Sequence, residues 1–95
     1  MASNRLSDDF LRELREKNEI SEVIGSYVNL RQQGSTMKGL CPFHNEKTPS
    51  FVVYLETQSY YCFGCGAGGD VITFVRNMDN LGYSDAVKSL AQRAG

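Results

Sequence analysis

The chain has 95 residues, enough for one domain near the lower end of common domain sizes. Its hydrophobic content of 41% allows a modest core, whereas its formal net charge of −1 lacks the positive excess of a generic nucleic-acid binder. No apolar run approaches the roughly 20 residues of a membrane span, so we expect no membrane partner.

Charge is unevenly distributed along the chain. Residues 1–30 carry four basic and six acidic side chains, residues 31–65 carry three and two, and residues 66–95 carry three of each. The middle third is therefore the least acidic part, without being a strongly positive patch.

The first part of the chain is predicted to form two helices. Ser7 can cap the first, and Asp8 and Asp9 favour the positive end of its dipole. The apolar residues that follow have helical spacing. Those of the first helix form an apolar stripe, and those of the second are predicted to pack the core. They are Phe10, Leu11 and Leu14 in the first helix, and Ile20, Val23, Ile24 and Tyr27 in the second.

The middle of the chain has the pattern of β-strands separated by turns. Val28 and Leu30 suggest a strand that runs into a turn at Gly34 and Ser35. Residues 51–55 are the clearest strand, because they are apolar, aromatic and β-branched.

A turn at residues 57–59 leads into a further strand that ends at Cys62. Successive side chains of a strand point to opposite faces. At most one of Tyr60 and Tyr61 is therefore expected to face a ligand.

A glycine-rich segment follows Cys65 and is predicted to be a flexible connection. Gly66, Gly68 and Gly69 before a helix could also be interpreted as a phosphate cradle. Their spacing matches neither the dinucleotide fingerprint nor the P-loop, so the flexible connection is favoured.

The last part of the chain is predicted to form two more helices. Asp70 is a good N-cap for the first, Leu81 and Gly82 break it, and Ser84 starts the second. The residues with inward-facing helical spacing are Val71, Phe74, Val75 and Met78, followed by Val87, Leu90 and Ala91.

The three cysteines and the single histidine fall into two pairs of equal spacing. Two residues separate Cys41 from His44, two separate Cys62 from Cys65, and 17 lie between the pairs. Two such turns can present four donors to a tetrahedral ion, and three thiolates with one imidazole suit Zn²⁺. We therefore predict one structural zinc ion with four protein ligands and no catalytic role.

The glycines of the second pair support this interpretation. Gly64 and Gly66 allow backbone angles that aim N–H groups at the sulfurs.

Four other interpretations of these residues remain. A disulfide scaffold would leave one cysteine unpaired and lacks a signal peptide. A redox Cys-x-x-Cys motif would not require a second pair at the same spacing. An iron–sulfur cluster prefers four thiolates, and the cysteines could simply be buried beside an incidental histidine.

Together these patterns predict a single zinc-binding domain over residues 1–95 with an α+β fold. Helices are expected over residues 7–26, a zinc-ribbon sheet over 27–69 and C-terminal helices over 70–94. The sheet of this small zinc ribbon is predicted to be antiparallel and flanked by the N-terminal and C-terminal helices.

Two segments resemble a known family. Residues 39–51 (GLCPFHNEKTPSF) and 61–70 (YCFGCGAGGD) are similar to the two zinc motifs of bacterial DNA primases, and the likeness runs from about Ile20 to the end. The resemblance implies the N-terminal CHC2-type zinc-binding domain of a primase. Tyr61 departs from the histidine of many relatives, and Ser35 lies in a turn that is often more basic.

The resemblance also implies a function in DNA replication. Such a domain helps to recognise the template trinucleotide at which an RNA primer begins, while a separate domain joins ribonucleotides. No carboxylate cluster typical of that catalytic centre is present, so we predict no catalytic residue here and no polymerisation by this chain alone.

The implied partners are the single-stranded DNA template and the catalytic RNA-polymerase domain of the same or a neighbouring molecule. The replicative helicase of a primosome would be reached only through parts not present here. Reduced cysteines without a secretion signal predict a cytoplasmic location.

A candidate surface for the template can be assigned from cations and aromatics. Arg31, Lys38 and Lys47 are candidate phosphate contacts, and Phe51 and Tyr61 are candidate partners for the bases. Alternatively, the cations are ordinary solvated side chains, and the aromatic residues pack the core. The aromatic residues that core packing would bury are Phe43, Phe51, Tyr54 and Phe63.

Two other functions remain open from the sequence. The zinc ribbon can serve as a docking module that contacts the catalytic domain without reading DNA. It can also act as a redox switch whose thiolates release zinc on oxidation, although a closed site that shields its thiolates argues against this.

Overall fold

The computed structural model describes residues 8–45 and 47–95, and the predicted helix cap Ser7 lies outside them. Within these ranges the chain forms four helices and one five-stranded antiparallel sheet, which confirms the predicted α+β fold. The elements are α1 (Asp8–Lys17), α2 (Ile20–Gly25), β1 (Arg31–Gln33), β2 (Thr36–Gly39), β3 (Phe51–Tyr54), β4 (Ser59–Cys62), β5 (Gly68–Gly69), α3 (Val71–Asp79) and α4 (Tyr83–Ala94).

The sheet is a meander in which each strand pairs with the next along the chain. Strands β2 and β4 both run antiparallel to the central strand β3. Gly39 at the end of β2 and Cys62 at the end of β4 therefore both lie opposite Phe51. The segments that leave these two strands start at the same end of the sheet.

One face of the sheet forms the core together with the helices. Phe51 of β3 and Tyr60 of β4 stack with ring centroids 5.4 Å apart. Phe74 of α3 contacts Tyr60 edge-on at 5.5 Å, and Phe43 contacts Phe74 at 5.6 Å. This aromatic cluster joins the sheet, α3 and the turn after β2 into one core.

The first and last helices are joined by a buried polar side chain that no pattern in the sequence indicates. Asn18 is 2% exposed, and its Nδ2 donates to the carbonyl oxygens of Leu14 at 2.9 Å and Leu90 at 3.1 Å. A buried amide needs such partners, so Asn18 links the end of α1 to α4.

Helix α3 begins at the predicted cap. The Asp70 carboxylate accepts a hydrogen bond from the N–H of Thr73 at 2.9 Å, which confirms the N-cap. The helix ends at Asp79 because Asn80 adopts a left-handed conformation with φ of 56°, and the N–H of Leu81 then donates to the carbonyl of Arg76.

Loss of this cap should destabilise the fold modestly. We expect Asp70→Ala to lower the free energy of unfolding by about 1 kcal/mol, because one N–H of the first turn loses its acceptor. Asp85→Ala, which removes an exposed carboxylate from the first turn of α4, should change it by at most about 0.5 kcal/mol. Urea unfolding of the zinc-loaded proteins measures both, and equal effects would contradict the capping role.

Four expectations from the sequence about the elements and their packing were wrong in detail. The strand expected at Val28 and Leu30 begins only at Arg31. The glycines after Cys65 are not only a flexible connection, because Gly68 and Gly69 form β5 and pair with Tyr61 and Tyr60. Phe10 is 41% exposed rather than buried. Tyr27 is 43% exposed because its hydroxyl donates to Asp79 at 3.0 Å, which keeps the tip of the ring at the surface.

None of the helices in the described part of the chain combines the length and the hydropathy needed to cross a membrane.

Candidate metal centre

The Cys41/His44 pair and the Cys62/Cys65 pair meet at one end of the sheet. Cys41 and His44 lie in the turn after β2, Cys62 is the last residue of β4, and Cys65 lies in the turn before β5. One potential ligand atom from each residue lies within 4.8 Å of all the others. The four side chains are thus positioned to bind one metal ion.

The spacing of the sulfur atoms fits zinc. The Sγ atoms of Cys41 and Cys65 are 3.8 Å apart, and all three cysteines are free thiols rather than disulfides. Two sulfurs that each lie about 2.3 Å from a tetrahedral ion are separated by about 3.8 Å. The chemistry of the donor set and this distance both fit a structural Zn²⁺ site.

The two metal turns have the same local hydrogen bond. The N–H of Phe43 donates to Cys41 Sγ at 3.4 Å, and the N–H of Gly64 donates to Cys62 Sγ at 3.3 Å. Gly66 has φ of +83°, but its N–H donates to the carbonyl oxygen of Cys62 at 2.8 Å. N–H groups in this turn therefore point at sulfur, as expected, and the N–H of Gly66 closes the turn onto the backbone of Cys62.

Without a bound metal ion, the cysteine thiols differ in pKa. Burial raises the pKa of Cys41 to about 12. Burial also acts to raise the pKa of Cys62, but the N–H groups of Cys65 and Gly64 and the Ser50 hydroxyl outweigh it and lower the pKa to about 7. Cys62 therefore loses its proton more readily than Cys41, and a bound metal must displace the proton from the more basic Cys41 thiol.

Exposure of the ligands is uneven. Cys41 and Cys62 are buried, His44 is half-buried and Cys65 is exposed. The sequence-based expectation that a closed site shields all its thiolates is therefore wrong for Cys65, which lies at the rim of the sheet.

The sheet face opposite the core carries most of the residues assigned to nucleic acid. Directly paired residues of neighbouring antiparallel strands share a face. Arg31 pairs with Lys38, Lys38 with Val52, Val52 with Tyr61, and Tyr61 with Gly68. Two strand spacings, about 10 Å, separate the positions of Lys38 and Tyr61 on this outer face.

The three predicted cations line one groove. Arg31 and Lys38 come from β1 and β2, and Lys47 comes from the segment after the first metal turn. The groove has a volume of about 500 Å³. We call it the cationic groove, and its other lining residues are Asn29, Gln33, Gly39, Leu40 and Pro49.

The two predicted aromatic contacts differ in position. Tyr61 lies on the outer face and is 41% exposed, whereas Tyr60 is buried, as the alternation of side chains predicts. Phe51 is 0% exposed and packs against Tyr60 and Phe74. The assignment of Phe51 to nucleic-acid contact was wrong, because its ring has no accessible surface.

Phe63, for which core packing was an alternative prediction, is an exposed aromatic residue. It is 66% exposed, and its ring meets that of Tyr61 edge-on, with centroids 4.9 Å apart. Its N–H donates to the carbonyl of Ser50 at 2.9 Å, which holds the backbone of the second metal turn against the residue just before β3. Tyr61 and Phe63 form an exposed aromatic pair.

Gly68 of β5 leaves room for the Tyr61 ring of the exposed aromatic pair. A Cβ atom on Gly68 would lie 2.9 Å from Cδ1 of Tyr61 and 3.0 Å from the carbonyl oxygen of Tyr60. Only glycine allows β5 to approach β4 this closely without displacing the Tyr61 ring.

The chain matches known proteins over nearly its whole length. The family model for the CHC2 zinc finger matches residues 6–95. The chain is 48% identical over 87 residues to a DNA primase of Thermotoga maritima, 46% over 92 residues to one of Geobacillus stearothermophilus and 47% over 94 residues to one of Mycobacterium tuberculosis. These matches cover 92%, 97% and 98% of the chain, but only 15% of each relative.

A solved structure has the same fold. The primase of Aquifex aeolicus, determined with its zinc-binding and RNA polymerase domains, superposes with a TM-score of 0.85 at 44% identity. The match covers 95% of the present chain and 22% of that chain. The present chain is therefore similar to a small part of a much longer protein.

Proposed function

Because the chain belongs to the CHC2 zinc finger family, we propose that it is the zinc-binding domain of a bacterial DNA primase. In this role Cys41, His44, Cys62 and Cys65 hold one structural zinc ion. The convergence of their donor atoms within 4.8 Å supports this assignment. The zinc supplies no reaction step, since four protein ligands leave no open position.

The domain is proposed to read the single-stranded template on the outer face of the sheet. The observation that carries this proposal is the cationic groove, in which Arg31, Lys38 and Lys47 come together from three separate segments. Proteins bind single strands by pairing phosphates with cations and stacking bases on aromatic rings. Tyr61 on the same face, with Phe63 beside it, offers such rings.

Primer synthesis itself is assigned to a separate domain. Among the described residues, the Cys and His cluster is the one group of three or more potential metal ligands, and carboxylates do not gather into a magnesium site. The proposed partners are therefore the template and the catalytic domain of the same or a neighbouring molecule. A replicative helicase would be contacted through other parts of the protein, in the cytoplasm.

Three cations predict modest affinity with a defined salt dependence. Neutralising three phosphates of a single strand gives a slope of log K against log salt of about −2, so binding should weaken about 20-fold between 50 and 200 mM salt. Replacing Arg31, Lys38 and Lys47 together by Ala should weaken binding about tenfold or more at 50 mM and remove most of this slope. Fluorescence anisotropy with a labelled 12-mer measures both quantities.

The matched control removes three exposed cations from the helices. Lys17, Arg76 and Lys88 lie on α1, α3 and α4, and their joint replacement by Ala should leave affinity within about twofold after correction for the general loss of charge. Equal losses in both triple variants would contradict the assignment of the groove.

A docking function is the second candidate, and the exposure of Phe63 favours it. Phe63 is 66% exposed beside the exposed ring of Tyr61, and such a pair of aromatic rings can anchor a contact with another protein. If Phe63→Ala lowers priming by a separately supplied catalytic domain but leaves binding to single strands unchanged, the aromatic pair is a docking surface rather than a stacking platform.

A further inference from the structure

A small apolar pocket adjoins the cationic groove. Its volume is about 250 Å³, and it is lined by Tyr27, Val28, Asn29, Leu40 and Pro42. Asn29 and Leu40 line both the pocket and the cationic groove. The two cavities therefore adjoin at these residues, with the cations of the groove on one side and the apolar pocket on the other.

The walls of the pocket are held in place by the core. The ring of Tyr27 packs edge-on against Phe74, with centroids 5.5 Å apart, and its hydroxyl donates to Asp79. The N–H of Val28 donates to the carbonyl of Ile24 at 2.9 Å. Leu40 and Tyr27 are nevertheless 48% and 43% exposed, so a rigid apolar surface is open to a ligand.

The position of Asn29 depends on a close approach of two backbone segments. A Cβ atom on Gly39 would lie 2.6 Å from the carbonyl oxygen of Asn29 and 3.2 Å from Cγ1 of Val28. Glycine at the end of β2 therefore lets the segment before β1 lie directly against it. This contact places the exposed Asn29 at the junction of the pocket and the groove.

We propose that the pocket receives one base of the single-stranded template and that Asn29 reads the edge of that base. This inference rests on the function proposed above for the same surface. Apolar walls suit the faces of a nucleobase, while a single carboxamide offers one donor side and one acceptor side to its edge. Asparagine pairs in this way with adenine, so adenine is the expected base.

The charge distribution favours a nucleic acid over a protein as the occupant. Arg31, Lys38 and Lys47 line the adjoining groove. A base seated against Leu40 and Pro42 would leave its phosphates beside these cations. Asn29 is thus a specificity-determining residue, and the cations supply affinity without regard to sequence.

The test measures the base preference of binding rather than affinity alone. The zinc-loaded chain is titrated with labelled oligo-dT 12-mers in which each of three central positions carries A, C, G or T in turn. The wild type should prefer adenine at one position by about 5-fold to 100-fold, and Asn29→Ala should reduce this preference to less than about twofold. Asn29→Asp should shift the preference towards cytosine, whose N4 amino group donates to a carboxylate.

Gln92→Ala is the matched control. Gln92 is an exposed carboxamide on α4 that lines neither the cationic groove nor the apolar pocket. Its replacement should leave the base profile unchanged, and circular dichroism with zinc analysis establishes that each variant is folded and metal-loaded.

The outcomes separate this inference from the proposed function. A wild type that binds these strands without any base preference, or an Asn29→Ala variant that keeps the wild-type profile, would overturn the role of Asn29 while template binding stands. Failure of the wild type to bind any strand, or unchanged binding after loss of Arg31, Lys38 and Lys47, would instead overturn the proposed function and this inference with it.

Discussion

Removal of zinc is expected to unfold the sheet. Metal binding to structural zinc sites contributes on the order of 10–16 kcal/mol, which is as large as the whole stability of a typical domain, about 5–15 kcal/mol. The site joins the turn after β2 to the end of β4, and the core ring of Phe43 lies within the first metal turn. Loss of the ion should therefore release both the turns and the aromatic core.

The helices should not compensate for this loss. They are 6 to 12 residues long, and isolated helices of that length are marginal in water. We expect the near-ultraviolet circular dichroism and the dispersion of amide resonances to collapse on chelation, with at most part of the helical signal retained. Addition of Zn²⁺ should restore both signals.

The control for chelation is the same chelator already saturated with zinc. Elemental analysis before and after treatment should give one zinc per chain and then none. Unchanged tertiary signals after verified removal of the metal would contradict a structural role, and would make the redox-switch hypothesis worth testing at the exposed Cys65.

Phe51→Ala is expected to be the most destabilising of the aromatic substitutions. Phe51 is fully buried and contacts Phe43, Tyr60 and Phe74. Truncation of a buried phenylalanine removes its apolar contacts and leaves a cavity, at a cost of about 3–5 kcal/mol. In a domain of this size the midpoint of thermal unfolding should fall by more than about 10 °C.

Phe63→Ala provides the comparison within the same residue type. Because Phe63 is 66% exposed, its replacement should change the free energy of unfolding by no more than about 0.5 kcal/mol. Urea unfolding in excess zinc measures both variants at constant metal loading. Similar costs for the two substitutions would mean that Phe51 is not the centre of the core, and would reopen its role on the surface.

The different burial of Phe51 and Phe63 shows what the alternation of side chains along a strand can and cannot predict. Alternation establishes that Tyr60 and Tyr61 point to opposite faces, but it does not say which face the helices cover. Packing of α3 against Phe51 and Tyr60 makes that choice, because each sheet face is buried only where another element supplies apolar side chains. Phe63 follows a strand within a metal turn, where no periodicity predicts burial.

The candidate metal centre could be predicted from the sequence, because the donors of each pair are close along the chain. Because only two residues separate Cys41 from His44, one turn presents both metal-binding side chains, independently of how the rest of the chain packs. The Asp70 cap and the stripe of α3 were predictable for the same reason, since a cap and a helical stripe involve residues only a few positions apart.

The amino-acid sequence by itself therefore determined the ligand pairs, the main helices and the two metal turns, all of which depend on local spacing. The tertiary structure decided the rest. Strand register brought Arg31 and Lys38 beside Lys47, and a close backbone approach at Gly39 placed Asn29 between the cations and an apolar pocket. Contacts between distant segments depend on how the sheet and helices pack, and local spacing carries no information about that packing.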